Sequence, residues 1–244
     1  MQIARAEVIP VDLPLKAPVP MAGGPEIKAV TGVFVLFETR DGSTAWGCTV
    51  AHPALSEDDP EDVIQACEDC ADMVPDLHPT NIEYSLAQLA PQVKGAPSAL
   101  CAFDLAFHDL LGKRAGMPLY RLLGGYRASI PTSITIPIGP VGSTVARAKK
   151  HAAQGFRILK IKGGLDPDED VQRVRAVQRA LPNLTLRLDA DGGYAIRDAI
   201  SVARALEGTV EMLEQPTSPE DVDALGRVTE NSRTPILADQ TVTS

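Results

Sequence analysis

From about residue 130 the chain repeats one unit. A short apolar run ends on an ionisable residue, and a polar, amphipathic stretch follows before the next run begins. The runs end at Lys162, Asp189, Glu214 and Asp239, so consecutive ends differ by 27, 25 and 25 residues. Strands alternating with helices imply a parallel sheet, because each parallel return needs a crossover. So even a period favours a (β/α)8 barrel over an open doubly wound sheet, whose crossovers vary more in length. The pattern predicts strands over 132–138, 157–162, 184–189, 210–214 and 235–239, with helices over 141–154, 167–180, 196–206 and 219–227. Five strands fit before Ser244, whereas a closed barrel would need roughly 75 further residues at this period. The expectation is an incomplete barrel, either truncated or left as an open half-barrel.

The first half lacks this period. Residues 2–11 and 30–39 read as strands, and the turn Arg40-Asp41-Gly42 leads into a third over 45–50. Between the first two lies 14–26, rich in Pro and Gly, which reads as a mobile loop. Helical spacing follows over 60–73, 81–89 and 96–111, the last closing at Gly112. The fold class is therefore an α+β domain over 1–125, followed over 126–244 by an α/β barrel of the TIM type, with about five of its strands present.

Composition narrows the partners. A formal charge of -9 and a pI near 4.9 repel phosphate backbones and anionic lipid, so neither nucleic acid nor a membrane is expected to bind. No apolar run reaches the roughly 20 residues of a spanning helix, and the first residues do not read as a signal peptide, so a cytoplasmic setting is expected. Four cysteines, Cys48, Cys67, Cys70 and Cys101, are too scattered for a disulfide framework. Cys67-x-x-Cys70 lies in a helical stretch without a second pair or a nearby histidine, which makes it structural rather than a zinc or redox site. His108 reads as a packing or surface residue and Trp46 as part of the small sheet.

Side chains alternate along a strand, so one face of each barrel strand points inward and the other packs on the helices. Leu159 and Ile161 go outward, which turns Lys160 and Lys162 inward; Leu186 and Leu188 likewise turn Arg187 and Asp189 inward. Four successive strands thus deliver an ionisable group to the C-terminal mouth, where barrel enzymes work. Carboxylates gathered there from Asp189, Glu214 and Asp239 cannot all stay charged in a partly buried site without a cation. Oxygen-only ligation suits a hard ion, Mg2+ or else Mn2+. Such an ion could hold a substrate carboxylate and stabilise the charge left when the adjacent C–H bond loses its proton. Lys162 is the candidate base and Lys160 its electrostatic partner, two ammonium groups on one face being expected to lower one another's pKa.

These residues resemble motifs of the enolase superfamily, and within it the mandelate racemase/muconate lactonizing enzyme family, in its muconate lactonizing and dipeptide epimerase branch. Lys160-Ile161-Lys162 resembles the branch's Lys-x-Lys motif, and Asp189-Ala190-Asp191 its Asp-Ala-Asn segment. Leu213-Glu214-Gln215-Pro216 and Leu237-Ala238-Asp239-Gln240 are similar to its next two metal segments. Residues 112–125 resemble the junction between capping domain and barrel. The resemblance implies Mg2+ ligands Asp189, Glu214 and Asp239, Lys162 as acid/base, and a capping domain carrying a mobile specificity loop around 18–25, assisted by 48–52. Asp191 stands where Asn is usual and Gln240 where Glu is usual; both would act behind the ligands, tuning affinity. The family's opposing lysine lies on a sixth barrel strand, beyond this sequence.

The reading this supports is a metal-dependent isomerase that removes the proton α to a carboxylate through a stabilised enediolate. A racemase or epimerase of dipeptides or N-substituted amino acids leads, because 132–136 is similar to the first barrel strand of that group, with Thr135 as a substrate contact. Muconate-type cycloisomerization and hydroxy-acid dehydration use the same frame and remain alternatives, as does an inactive fragment or a non-catalytic binding protein. The expected partners are a small carboxylate substrate and, at full length, further copies of the chain in a homo-oligomer.

Overall fold

The computed structural model describes residues 2–19, 26–53 and 59–242. Contacts divide the chain into two compact units, one built from residues up to Pro18 and Ile27–Ala128, the other running from Ser129 onward.

In the first unit β1 (Ile3–Val19), β2 (Ile27–Thr39) and β3 (Thr44–Ala51) form a sheet in the order β1-β2-β3. Antiparallel register sets Val35 opposite Gly47 and Phe37 opposite Ala45. Alternation buries Val33, Val35 and Phe37 on one face, as a half-buried strand requires. Helices α1 (Pro60–Met73), α2 (Ile82–Leu89), α3 (Pro97–Ala115) and the single turn α4 (Leu119–Leu122) follow. Helix α3 buries Ala99, Ala102, Phe103, Ala106, Phe107 and Leu110, the i, i+3, i+4, i+7 stripe of a helix facing a core. Phe107 meets Phe37 edge-on with centroids 4.9 Å apart. Small residues let the helix lie against the strand: a Cβ on Gly47 would fall 1.8 Å from the Ala102 carbonyl oxygen. Cys67 and Cys70 are buried one turn apart on α1, and burial pushes their thiols up to about 12 and about 11.

Two expectations need correction here. The strand read as ending at residue 11 continues to Val19, so 14–19 is not loop. It lies at the sheet edge, where Pro14 and Pro18 can sit without breaking a ladder, and Thr31 bonds back to Asp12 at 3.1 Å. Most of the specificity loop expected around 18–25 falls in residues 20–25, outside the described residues. The helix expected to close at Gly112 continues to Ala115 and ends on Gly116, at φ +63°. Gly112 is instead an interior position packed closely against the chain that follows: an added Cβ would sit 3.3 Å from the Met117 carbonyl oxygen. The left-handed C-terminal residue favours glycine one turn later.

The second unit carries β4 (Ser133–Ile136), β5 (Ile158–Lys162), β6 (Thr185–Asp189), β7 (Met212–Glu214) and β8 (Ile236–Leu237), parallel and hydrogen-bonded in sequence order. Helices α5 (Val141–Ala153), α6 (Pro167–Ala180), α7 (Ile196–Ala205) and α8 (Val222–Glu230) alternate with them. Leu159, Ile161, Leu186, Leu188 and Leu213 are buried in one cluster with Val174, Val177, Val202 and Val228 from the helices, each worth about 1.5–3 kcal/mol of burial. Asp166 and Asp221 cap α6 and α8 through their side chains. This is the consecutive parallel order of part of a (β/α) barrel. Strand β8 is shorter than the expected 235–239, and Asp239 lies beyond its end. Among the described residues no helix is long and apolar enough to cross a membrane.

Candidate active site

Strand register places the candidate residues in two tiers. In the lower tier Thr135, Lys160, Arg187 and Met212 are successive partners across β4 to β7; in the upper tier Lys162, Asp189, Glu214 and Leu237 are partners across β5 to β8. Partners in a parallel ladder point to the same face, so the two lysines share a face with Asp189 and Glu214. The buried leucines and isoleucines of the same strands occupy the other.

The ammonium groups close the site. Lys160 Nζ lies 2.7 Å from Glu214 Oε1 and 2.7 Å from Asp189 Oδ2. Lys162 Nζ lies 2.8 Å from Asp189 Oδ2 and donates to both oxygens of Asp191, at 2.6 and 2.7 Å. Asp189 is fully buried and Glu214 is 8% exposed. Asp191 adopts φ +45°, donates its N–H to Asp189 Oδ1 at 3.1 Å, and accepts from Gln240 Nε2 at 3.4 Å. Burial works against both lysine charges, yet the hydrogen bonds and proximity of Asp189 with Glu214, or with Asp191, prevail and hold both lysines above the ordinary value of 10.5. Burial likewise opposes the Asp189 charge, and the two ammonium groups outweigh it, keeping that carboxyl below 3.8. The expected mutual depression of the lysines is therefore reversed, because a carboxylate lies between them.

Not every expected residue joins this cluster. Asp239 is exposed, and among the described residues no group of three acidic, His or Cys side chains stands ready to hold a metal ion. Arg187, on the inward face, pairs with Glu211 at 2.7 Å. Thr135 is exposed beside Lys160 in the ladder. The residue set nevertheless fits a hard divalent cation. Three carboxylates (Asp189, Asp191, Glu214) face two ammonium groups, one negative charge in excess, or two with Asp239. Asp189 Oδ2 and Gln240 Oε1 are buried oxygens without a well-directed hydrogen bond, although two ammonium nitrogens approach the first. The first is anionic and the second a neutral amide oxygen, and both are the hard oxygen donors that such a cation takes.

Behind the site the strand-end loops interlock. Gly163 N–H donates to Asp189 O at 2.7 Å, Ala190 N–H to Glu214 O at 3.0 Å and Gln215 N–H to Leu237 O at 2.9 Å. A Cβ on Gly164 would fall 2.1 Å from the Ala190 carbonyl oxygen, and one on Gly193 as close to that of Gly164. Buried Asp170 accepts from Gly164 N–H at 2.8 Å and from Tyr194 and Arg173. Sequence reasoning took this stretch only as an amphipathic helix. An acidic residue at a position otherwise facing the core was the available signal.

Comparison with known proteins agrees with this architecture. Residues 3–124 match the N-terminal domain of mandelate racemase/muconate lactonizing enzymes, and residues 143–244 the enolase C-terminal domain-like family. The L-Lys-D/L-Arg epimerase of Desulforapulum autotrophicum is 36% identical over 248 residues, covering 99% of this chain and 69% of that relative. The hydrophobic dipeptide epimerase of Enterococcus faecalis is 31% identical over 243 residues, covering 98% and 68%. A crystal structure of the dipeptide epimerase from Enterococcus faecalis, complexed with Mg and the dipeptide L-Leu-L-Tyr, superposes with a TM-score of 0.95 at 31% identity over 99% of this chain and 69% of that one.

Proposed function

The chain belongs to the mandelate racemase/muconate lactonizing enzyme family of the enolase superfamily, and from that premise we propose that it is an isomerase acting on the carbon α to a carboxylate, an epimerase or racemase of dipeptides or N-substituted amino acids. The observation that carries this is the meeting of Lys160 and Lys162 on Asp189 Oδ2, at 2.7 and 2.8 Å, on the strand face that also holds Glu214. Relatives named as epimerases of L-Lys-D/L-Arg, hydrophobic and L-Ala-D/L-Glu dipeptides support the substrate class.

Lys162 is the base in this reading. It accepts the α-proton in the fraction of molecules whose amine is neutral, a small fraction while Asp189 and Asp191 hold its pKa above the ordinary value. Asp191 orients the Lys162 amine by a two-oxygen contact. Asp189, Glu214 and Asp239 would hold Mg2+, with Mn2+ an alternative, and the bound cation would fix the substrate carboxylate and spread the negative charge that appears as the C–H bond breaks. Inversion requires return of the proton on the opposite face. Thr135, on the edge strand of the same face, is proposed to contact substrate. A homo-oligomer and a cytoplasmic setting belong to the same reading.

Incubating dipeptides and N-acyl amino acids in D2O with the chain and Mg2+ tests it. Deuterium should enter the α-position, stop on adding EDTA, and fall by about 100-fold or more in Lys162→Ala, the usual contribution of a general base. Undiminished exchange in that variant would remove the assignment of the base, and no exchange with any such substrate would remove the substrate class.

A further inference from the structure

We infer that Gln215 is the positioning residue that sets Asp239 relative to Glu214, and so shapes the cation site. This rests on the reading of Asp239 as a ligand. Asp239 lies past the end of β8, so no strand ladder holds it, and its place must come from elsewhere. Gln215 follows Glu214 directly, is fully buried, and adopts φ +35°, a left-handed conformation that a glutamine rarely takes. Its side chain uses every hydrogen-bonding position of a carboxamide. Oε1 accepts from Asp239 N–H at 2.8 Å and Thr241 N–H at 3.2 Å; Nε2 donates to Thr217 O at 2.9 Å and Thr241 Oγ1 at 2.7 Å. Its backbone ties in both neighbours, donating to Leu237 O at 2.9 Å and accepting from Gly192 N–H at 2.7 Å. One residue thus joins the loop after Asp191, the loop after Glu214 and the segment of Asp239.

Only an amide does this. It offers two acceptor lone pairs to the Asp239 segment and two N–H groups to partners that are acceptors, so a carboxylate would lose the second pair and an apolar side chain all four. The strained backbone at Gln215 persists because these contacts over-determine it.

The test pairs amide hydrogen exchange with Mg2+ titration by calorimetry on the full chain, neither of which reads activity. In Gln215→Met, which is similar in bulk, the Asp239 and Thr241 amides should lose their protection and the Mg2+ dissociation constant should rise about 10-fold or more, the usual effect of removing a group that orients a metal ligand. Thr241→Val removes only the Nε2–Oγ1 contact and should weaken Mg2+ about 3-fold, the worth of one neutral hydrogen bond; it also decides the matter should Gln215→Met not fold. Wild type that binds Mg2+ while both folded variants bind it equally well overturns this inference alone. Wild type that binds no Mg2+ overturns the reading of the cation site and the inference with it.

Discussion

Lys160 and Lys162 carry the same charge on one strand face, yet they meet different carboxylates: Lys160 joins Asp189 to Glu214, and Lys162 joins Asp189 to Asp191. The proposed division of tasks between them follows that difference, since the residue paired with Asp191 can be tuned without touching Glu214. Asp191 raises the Lys162 pKa, so Asp191→Asn should lower it. On the proposed reading that the neutral amine is the active form, the rise of α-proton exchange with pH should then begin at lower pH, which a pH–rate profile in D2O would display. An unmoved profile would mean that Asp191 does not govern the base. Lys160, Lys162, Asp189 and Glu214 were legible as one face from alternation and strand period. The link between Lys162 and Asp191 was not, since Asp191 sits in a turn at φ +45° that no period describes.

Among the elements, helix α3 and strand β3 show how a tight approach limits substitution. Gly47→Ala would drive a Cβ into the Ala102 carbonyl oxygen, 1.8 Å away, and near Ala106 N at 2.8 Å. Both are backbone atoms of α3, which leaves no side chain to swing aside, so urea denaturation should report a loss of about 1–3 kcal/mol or more. Gly164→Ala meets a similar obstacle in the Ala190 carbonyl oxygen and adds the cost of φ +101°. It lies two residues past Lys162, so its effect should also appear in α-proton exchange. The turn between β2 and β3 makes a gentler forecast. Thr39 Oγ1, Ser43 and Arg114 hold the Asp41 carboxyl down to about 2. A carboxyl so depressed adds stability above its unfolded value, and the gain disappears as pH falls through the folded one; an NMR titration should place its midpoint near pH 2, and Asp41→Asn should abolish that inflection.

At the scale of the whole molecule, the excess negative charge of the site ties stability to pH and to cations. Asp189 is held below 3.8 and both lysines above 10.5. Without metal, the Asp189 contribution is complete above about pH 4 and fades as pH falls through its lowered value; those of the lysines are complete below their ordinary value and fade as pH rises past the elevated one. Urea midpoints measured against pH should therefore show a plateau with two falling limbs, and Asp189→Asn should flatten the acid limb. Mg2+ at 100 times its dissociation constant should add about 2.7 kcal/mol, visible as a melting shift that EDTA reverses.

What the sequence by itself determined is the order of elements, the parallel sheet, the inward face of each strand and the family, because period and alternation are local properties and motif spacing survives any packing. Helix ends and edge strands were misjudged where a local signal competed with a tertiary one: Gly112 looked like a terminator but lies inside α3, and the prolines of 14–19 looked like loop but lie on a sheet edge. Which carboxylate each lysine meets, how the glycines of the strand-end loops interlock, and how Gln215 reaches Asp239 across 24 residues were decided only by the fold. Those contacts join segments remote in the chain, and no pattern along a sequence encodes the distance between two loops until the strands beneath them have been paired.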